Sequence, residues 1–227
     1  MPNDPILRRS LNTERALTLP RPRLRGRSHL LAAIVMLPAS VTWLAATDAG
    51  VHRLGLGAFM LGMTVMLTIS ATLHLRSWSP ASYERLFRLD HSGIHLAIGG
   101  TGVGLALIGL DGWPQRVMLA IALGGPILGI LVEWLPFPPP RGLNVALYLS
   151  LGWTPVLLLP WVYWQTGFSV TALLIGGGVL YTIGAIVVAT HRPDPSPTWF
   201  GYHEIFHLFV LAAIGVHAVM FQNLLNR

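Results

Sequence analysis

The chain has 227 residues, of which 53% are hydrophobic and only 11% are charged. Soluble domains have about a quarter of their residues charged, so this composition excludes an ordinary soluble protein. Apolar stretches long enough to cross a bilayer recur along the chain, which predicts a multi-pass protein of the cell membrane, either inner or plasma. The absence of cysteine excludes disulfides and thiolate metal ligands.

The N-terminal tail is basic. The net charge is +6, lysine is absent, and seven of the fifteen arginines lie in residues 8–27. Because residues 1–27 combine arginine with proline, we predict a cytoplasmic tail that is disordered on its own. No aromatic residues are interleaved with its arginines, so we expect no nucleic-acid partner.

Seven apolar stretches follow the tail, each near the roughly 20 residues that a membrane-spanning helix needs. Residues 28–227 are therefore predicted to form an all-α seven-transmembrane helical bundle. The breaks between the stretches contain proline, glycine and charge, although WQTGF, after the fifth stretch, is a weaker break. The predicted spans are residues 28–47, 53–75, 91–110, 114–134, 143–164, 168–190 and 203–224.

The distribution of arginine predicts the orientation. With the N-terminus in the cytoplasm, twelve arginines lie inside and three outside, which satisfies the positive-inside rule. Seven spans then place the C-terminus outside. With this orientation, seven of the nine histidines lie at cytoplasmic ends of spans: His29, His74, His91, His95, His191, His203 and His207.

Three spans bring polar groups to the same membrane depth. The second span ends with SATLH, which contains Ser70 and His74, and the third begins near Asp90. The seventh begins with HEIFH, in which His203 and His207 lie one turn apart on one helix face. Three imidazoles with an open fourth position are typical of catalytic zinc, and a nearby carboxylate can move the proton of an activated water.

Simpler interpretations remain for the same residues. His74 is also compatible with an interfacial position, and Asp90 with an N-cap of the third helix. The HEIFH motif also matches the HExxH pattern of zinc proteases, in which the glutamate is the general base. However, Glu204 lies about 100° around the helix from His203, and no acidic residue follows His207.

The remaining histidines have less definite roles. His91 and His95 form a second i, i+4 pair, which we interpret as lying next to the ligands or on the surface. His29 and His191 are candidates for hydrogen bonds to the site. His217 lies about 21 Å along the helix from His203, too far to share its metal.

The chain resembles the hemolysin III family, the bacterial branch of the progestin and adipoQ receptor group, within a wider set of seven-span proteins that includes alkaline ceramidases. The resemblance covers about residues 22–221. It lies in PRLRGRSHLLA, SATLH, RLDHSGIHLAIGGT and HEIFHLFVLAAIGVH. Where the family usually continues the third span with AGTYTP, this chain has GGTGVG, which affects the shape of the pocket but not the ligands.

The resemblance implies a zinc ion near the cytoplasmic face, with His74, His203 and His207 as ligands. It also implies that Asp90 holds water or supports a ligand, and that Ser70 lies one turn before the first ligand. Some relatives resemble lipid-amide hydrolases, whereas the family name implies cytolysis. The sequence therefore leaves three functions open: a zinc-dependent hydrolase of a lipid amide or ester, a non-enzymatic pore former or receptor with structural zinc, and an intramembrane protease. It does not define the oligomeric state.

Overall fold

A computed structural model describes residues 13, 14, 17, 18, 21–137, 140 and 142–227. Within these residues the protein is helical and has no β-strand, only an isolated bridge between Ser196 and Phe200. Most of the predicted disordered tail lies outside the described residues. The helices are α1 (Arg27–Ala46), α2 (Val51–Leu75), α3 (Pro80–Gly109), α4 (Gly112–Glu133), α5 (Leu143–Gly152), a 3₁₀ turn (Thr154–Leu158), α6 (Leu159–Thr190) and α7 (Tyr202–Leu225).

Six helical stretches in the described part of the chain are long and apolar enough to cross a membrane. Five of them are single helices. The sixth, Leu143–Thr190, extends over 48 residues and contains α5, the 3₁₀ turn and α6. Its helical geometry is interrupted at Gly167, where φ is 79° and ψ is 177°. This is the weak break predicted at WQTGF, and glycine permits it because a side chain disfavours positive φ.

The third helix begins earlier than predicted. The stretch before residue 91 was expected to be a break, but α3 starts at Pro80, and the hydroxyl of Ser79 accepts a hydrogen bond from the amide of Ser82 at 3.3 Å. Proline suits the first turn of a helix, and a serine N-cap satisfies a free amide. Asp90 therefore lies in the third turn, which excludes the alternative interpretation of Asp90 as the N-cap of this helix. The hydropathy pattern identifies the part of a helix that can lie in the lipid. It does not show that the helix continues beyond that part into polar residues.

Close packing between α2 and α3 forms the centre of the bundle. A Cβ on Gly100 would lie 2.3 Å from the carbonyl oxygen of Ala58, so the two backbones approach at a distance that only glycine allows. The core around this contact is apolar and includes Leu56, Phe59, Met63, Leu105, Met118 and Phe221. Helix α3 also packs against α4, and α6 packs against α7.

The outer surface is apolar as well. Leu31, Leu54, Leu61, Leu128 and Phe168 are each at least 64% exposed. In water such a surface would be an aggregation hazard, whereas in a bilayer it faces acyl chains. Together with the six apolar stretches, this surface identifies a multi-pass membrane protein.

Candidate metal centre

The three predicted ligands meet at one end of the bundle. His74 is the penultimate residue of α2, and His203 and His207 lie in the first two turns of α7. The Nε2 atoms of His74 and His203 are 3.2 Å apart. One ring nitrogen from each of the three residues lies within 4.8 Å of the other two. The structure thus brings together side chains 129 residues apart in a geometry that a single metal ion could bridge.

Glu204 does not face this group. One of its carboxylate oxygens pairs with the Arg25 guanidinium, and the other accepts the amide hydrogen of Gly201 at 2.8 Å. The second contact caps the N-terminus of α7. Glu204 is 2% exposed, so the ion pair with Arg25 is buried on the carboxylate side. The glutamate of the HExxH motif therefore makes structural contacts, which agrees with the helical angle of about 100° between Glu204 and His203.

His29 is more closely associated with the ligands than the sequence indicated. Its ring stacks on that of His207, with centroids 3.7 Å apart and planes inclined by 11°. Its Nδ1 lies 2.9 Å from the hydroxyl oxygen of Ser70, within hydrogen-bonding distance. The stacked His29 ring restricts the orientation of the His207 ring, and the contact with Ser70 holds His29 in place. The signal in the sequence was weak, because His29 was one of several histidines at the same predicted depth.

Asp90 lies on the third helix of the site. Its carboxyl group lies close to the Ser70 side chain and within electrostatic range of His91. Asp90 and Ser70 line the same cavity as the three clustered histidines. The two residues predicted to support catalysis are therefore close together, and both face the space next to the histidines.

A second polar group, here called the Glu133 cluster, consists of His91, Glu133, Asn144 and Tyr148. Glu133 ends α4 and is only 3% exposed. It accepts a hydrogen bond from the side-chain amide of Asn144 at 2.7 Å, and the same oxygen lies 3.3 Å from Nδ1 of His91. Glu133 lies at the end of the predicted fourth span, 114–134, and nothing in the sequence singled out this cluster.

The other histidines lie elsewhere. His95 is buried, so its interpretation as a surface residue is wrong; its ring fills the space over Gly129, where a side chain would collide with it. Nε2 of His217 lies 3.4 Å from the carbonyl oxygen of Leu174. His191 lies just beyond α6, and its ring contacts that of Tyr202. None of these three belongs to the group of clustered histidines among the described residues.

The segment before α1 covers this end of the bundle. In this segment, the N-terminal strap (residues 21–26), the backbone amides of Arg23 and Leu24 donate to the carbonyl oxygens of Thr198 and Trp199, at 3.0 and 3.1 Å. The Arg23 guanidinium lies over the Trp199 ring, 4.2 Å from its centroid. With the pair between Arg25 and Glu204, these contacts attach the strap to the loop before α7 and to α7 itself.

Gly26, the last residue of the strap, packs directly against His74. Its φ is 77°, and a Cβ at this position would lie 2.8 Å from Cβ of His74. Replacing Gly26 by alanine is expected to displace His74 and lower both metal affinity and melting temperature. Gly142→Ala is the matched control, because Gly142 also precedes a helix, with φ 82°, but has no atom within 4 Å of the added Cβ.

The control should lose only about 1 kcal/mol of stability from backbone strain, with metal affinity unchanged. Zinc titration and thermal unfolding of both variants would measure the difference. Equal effects of the two substitutions on metal affinity would show that contact with His74 is unimportant.

A cavity of about 490 Å³ extends from the clustered histidines into the bundle. Its walls are mainly apolar and include Met63, Ile98, Leu105, Met118 and Leu174. Its polar end contains His74, His203 and His207 together with Asp90 and members of the Glu133 cluster. The cavity therefore suits an amphiphilic molecule with a polar head and an apolar chain.

Fold and site define a class: a multi-pass helical membrane protein with three clustered histidines at the polar end of an internal cavity. The chain matches the haemolysin-III related family over residues 17–218 and belongs to that family. The resemblance to the hemolysin III family noted in the sequence is thereby confirmed.

Similar proteins come from bacteria, plants and animals. The chain is 29% identical to hemolysin-3 of Bacillus cereus over 86% of this chain and 85% of that protein. It is 30% identical to a rice (Oryza sativa subsp. japonica) protein, heptahelical transmembrane protein ADIPOR2, over 78% of this chain and 84% of that one. It is 29% identical to the adiponectin receptor protein of Drosophila melanogaster over 84% of this chain. This last match spans only 47%, about half, of the receptor's length.

Proposed function

We propose that this protein is a zinc-dependent hydrolase that cleaves an amide or ester of a membrane lipid near the cytoplasmic face. The observation that carries the proposal is the convergence of His74, His203 and His207 beside a carboxylate, at the polar end of an apolar cavity. The cavity would hold the acyl chain, and the lipid carbonyl would lie next to the histidines.

The donor set fits zinc. Two nitrogens bound to one tetrahedral zinc at 2.0–2.1 Å lie about 3.3 Å apart. The corresponding Nε2 atoms of His74 and His203 are separated by 3.2 Å. His207 is buried, and its Nδ1 has no hydrogen-bond partner in the structure. Three imidazoles without thiolates are also a donor set typical of catalytic zinc.

The protein groups around the ligands have distinct roles in the proposal. Zinc, when bound, supplies a Lewis acid that polarises a carbonyl group and makes water more acidic. Asp90 accepts the proton of the attacking water and returns it to the leaving amine or alcohol. Ser70 orients the Asp90 carboxylate and bonds to His29, which in turn holds the ring of His207 by stacking. The apolar walls keep bulk water away from the reacting carbonyl.

The proposal includes seven spans, with the N-terminus in the cytoplasm and the C-terminus outside. The interruption at Gly167 divides the 48-residue stretch into two segments, each long enough to cross a bilayer. The arginine distribution supports this orientation. His74, His203 and the strap would then lie on the cytoplasmic side, in the cell (inner or plasma) membrane.

Metal removal tests the function. Purified protein is expected to contain one zinc per chain and to release oleic acid from N-oleoyl ethanolamide. Chelation should abolish hydrolysis, and added zinc should restore it, because the proposed reaction depends on the metal to make the attacking water more acidic. Elemental analysis and mass spectrometry of the products would measure both effects. Protein with no stoichiometric metal, or with full activity after chelation, would contradict the proposal.

A non-enzymatic role is the second candidate, because relatives are named hemolysin-3 and adiponectin receptor. Dye release from liposomes separates a lytic role from hydrolysis. Leakage that persists when His74, His203 and His207 are all replaced by alanine would favour a pore or a structural metal. The mainly apolar cavity favours the enzyme, because a wide aqueous pore needs a polar lining.

A further inference from the structure

The N-terminal strap joins the two helices that carry the clustered histidines. At one side, Gly26 packs against His74, near the end of α2. At the other side, Arg25 pairs with Glu204, in the first turn of α7. The strap therefore lies across the end of the bundle at which the metal centre is proposed, in contact with both ligand-bearing helices.

The other surfaces around the histidines are poor routes for a metal ion. The cavity has mainly apolar walls, which include Met63, Leu105 and Met118. A divalent cation that moved along these walls would lose its hydration shell without replacement, at a high cost in free energy. The outside of the helices is apolar as well and faces acyl chains. An ion is therefore expected to reach or leave the histidines at the end that the strap covers.

Arg25 places a positive charge beside this route. It lies within electrostatic range of His74, His203 and His207. The Glu204 carboxylate holds its guanidinium there, and the side chain of Glu204 is only 3% exposed. Arg25 and a bound cation repel each other, so the direct electrostatic effect of this arginine is to favour release of the metal.

The strap buries little apolar surface. Of its six residues, all of which the structure describes, only Pro22 and Gly26 are buried. The amides of Arg23 and Leu24 donate to the loop before α7, but both residues are exposed. A segment with so few buried apolar contacts can open locally without unfolding of the helices beneath it. The buried ion pair with α7 is then the contact that most opposes opening.

We propose that the strap is a latch over the metal centre, held shut by the ion pair between Arg25 and Glu204. Detachment of the strap opens a path along which zinc binds and leaves, while the three histidines stay in place. The inference rests on the metal centre of the proposed function, but not on hydrolysis. The latch controls the rates of metal exchange and has little effect on equilibrium affinity, because uptake and release accelerate together when it opens.

Rates of zinc exchange test the latch. Release would be measured by exchange of bound radioactive zinc against unlabelled zinc, with full-length protein in nanodiscs, and uptake by adding zinc to the metal-free protein. Arg25→Gln and Glu204→Gln are each expected to accelerate release about tenfold or more, because either change leaves a buried charge unpaired and favours the detached strap. Uptake should accelerate by a similar factor, so that the dissociation constant stays within about threefold of wild type.

The opposite charges of the two residues separate the latch from a direct electrostatic effect. Without a latch, loss of the positive charge of Arg25 would slow zinc release, and loss of the negative charge of Glu204 would accelerate it. The latch predicts faster release from both variants. The double variant should release zinc no more than about twofold faster than the faster single variant, because both substitutions break the same contact.

Arg88→Gln is the matched control. Arg88 also pairs with a glutamate, Glu84, at 2.7 Å, but this pair lies within α3 and outside the strap. Release from this variant should stay within about twofold of wild type, because a partly exposed pair one helical turn apart contributes little. Melting temperature and zinc content would be recorded for every variant, and if one of the single latch variants does not fold, the other decides.

Four results would overturn the latch: a wild-type release rate in either single latch variant, slower release from Arg25→Gln, faster release with an equal loss of affinity, or equal acceleration in Arg88→Gln. Wild-type protein that binds no zinc would overturn the metal centre and the latch together. Failure of the hydrolase alone looks different. Protein that shows the expected exchange rates but does not hydrolyse N-oleoyl ethanolamide would refute the hydrolase and leave the latch in place.

Discussion

Replacement of His207 by alanine is expected to remove stoichiometric zinc from the purified protein and to abolish hydrolysis. His207 supplies one of three clustered imidazoles, and its ring also stacks on His29. Zinc binding in small protein sites is worth roughly 10–16 kcal/mol over four ligands, so loss of one should lower affinity on the order of a hundredfold or more. Elemental analysis and competition with a metal indicator would measure this change.

His217→Ala is the control for this variant. His217 is a buried histidine of the same helix, and it contacts the carbonyl oxygen of Leu174 instead of the clustered histidines. It should retain one zinc per chain despite some loss of stability. If His207→Ala keeps full zinc occupancy and affinity, the three-histidine centre is wrong. If both variants lose zinc equally, the loss reflects general damage to α7.

Replacement of Asp90 by asparagine is expected to lower the hydrolysis rate by about 10²–10⁴-fold while leaving zinc bound. Asparagine is nearly the same size as aspartate and can keep a contact with Ser70, but it cannot accept a proton from water. Steady-state kinetics with zinc-saturated protein would show whether kcat falls, as expected for a proton-transfer role.

Glu204→Gln provides the matched carboxylate-to-amide control. Glu204 pairs with Arg25 and caps α7, so this change should lower the melting temperature and leave the rate within a few-fold of wild type. The protease hypothesis predicts the reverse ranking of the two variants by activity, with Glu204→Gln inactive. A fully active Asp90→Asn variant would remove Asp90 from the proposed mechanism.

Several features of the site follow from local rules. The spacing of His203 and His207 places them on one helix face, and their position at the end of an apolar stretch sets their depth. His74 occupies the corresponding position on α2, so convergence of the three was predictable once these helices were assumed to be neighbours. The break at WQTGF was also predictable, because Gly167 can adopt the positive φ that interrupts the helix.

Other features depend on contacts between distant parts of the chain. Glu204 and Arg25 are 179 residues apart, and no local pattern links them. Glu133 lies at the end of an apolar stretch and precedes several prolines, so nothing in the sequence indicated that it is buried. The residue is buried because Asn144 and His91, from α5 and α3, surround its carboxylate. Stacking of His29 on His207 likewise depends on how α1 meets α7.

The connection between the strap and α7 has a consequence for how the protein is made. Arg25 and Glu204 are 179 residues apart, so Arg25 is synthesised well before the helix that carries Glu204 and His207. A nascent chain that has not reached residue 207 lacks a complete donor set, whatever its earlier helices have done. A chain that stops before residue 207 is therefore expected not to retain a metal ion, which metal analysis of truncated protein would measure.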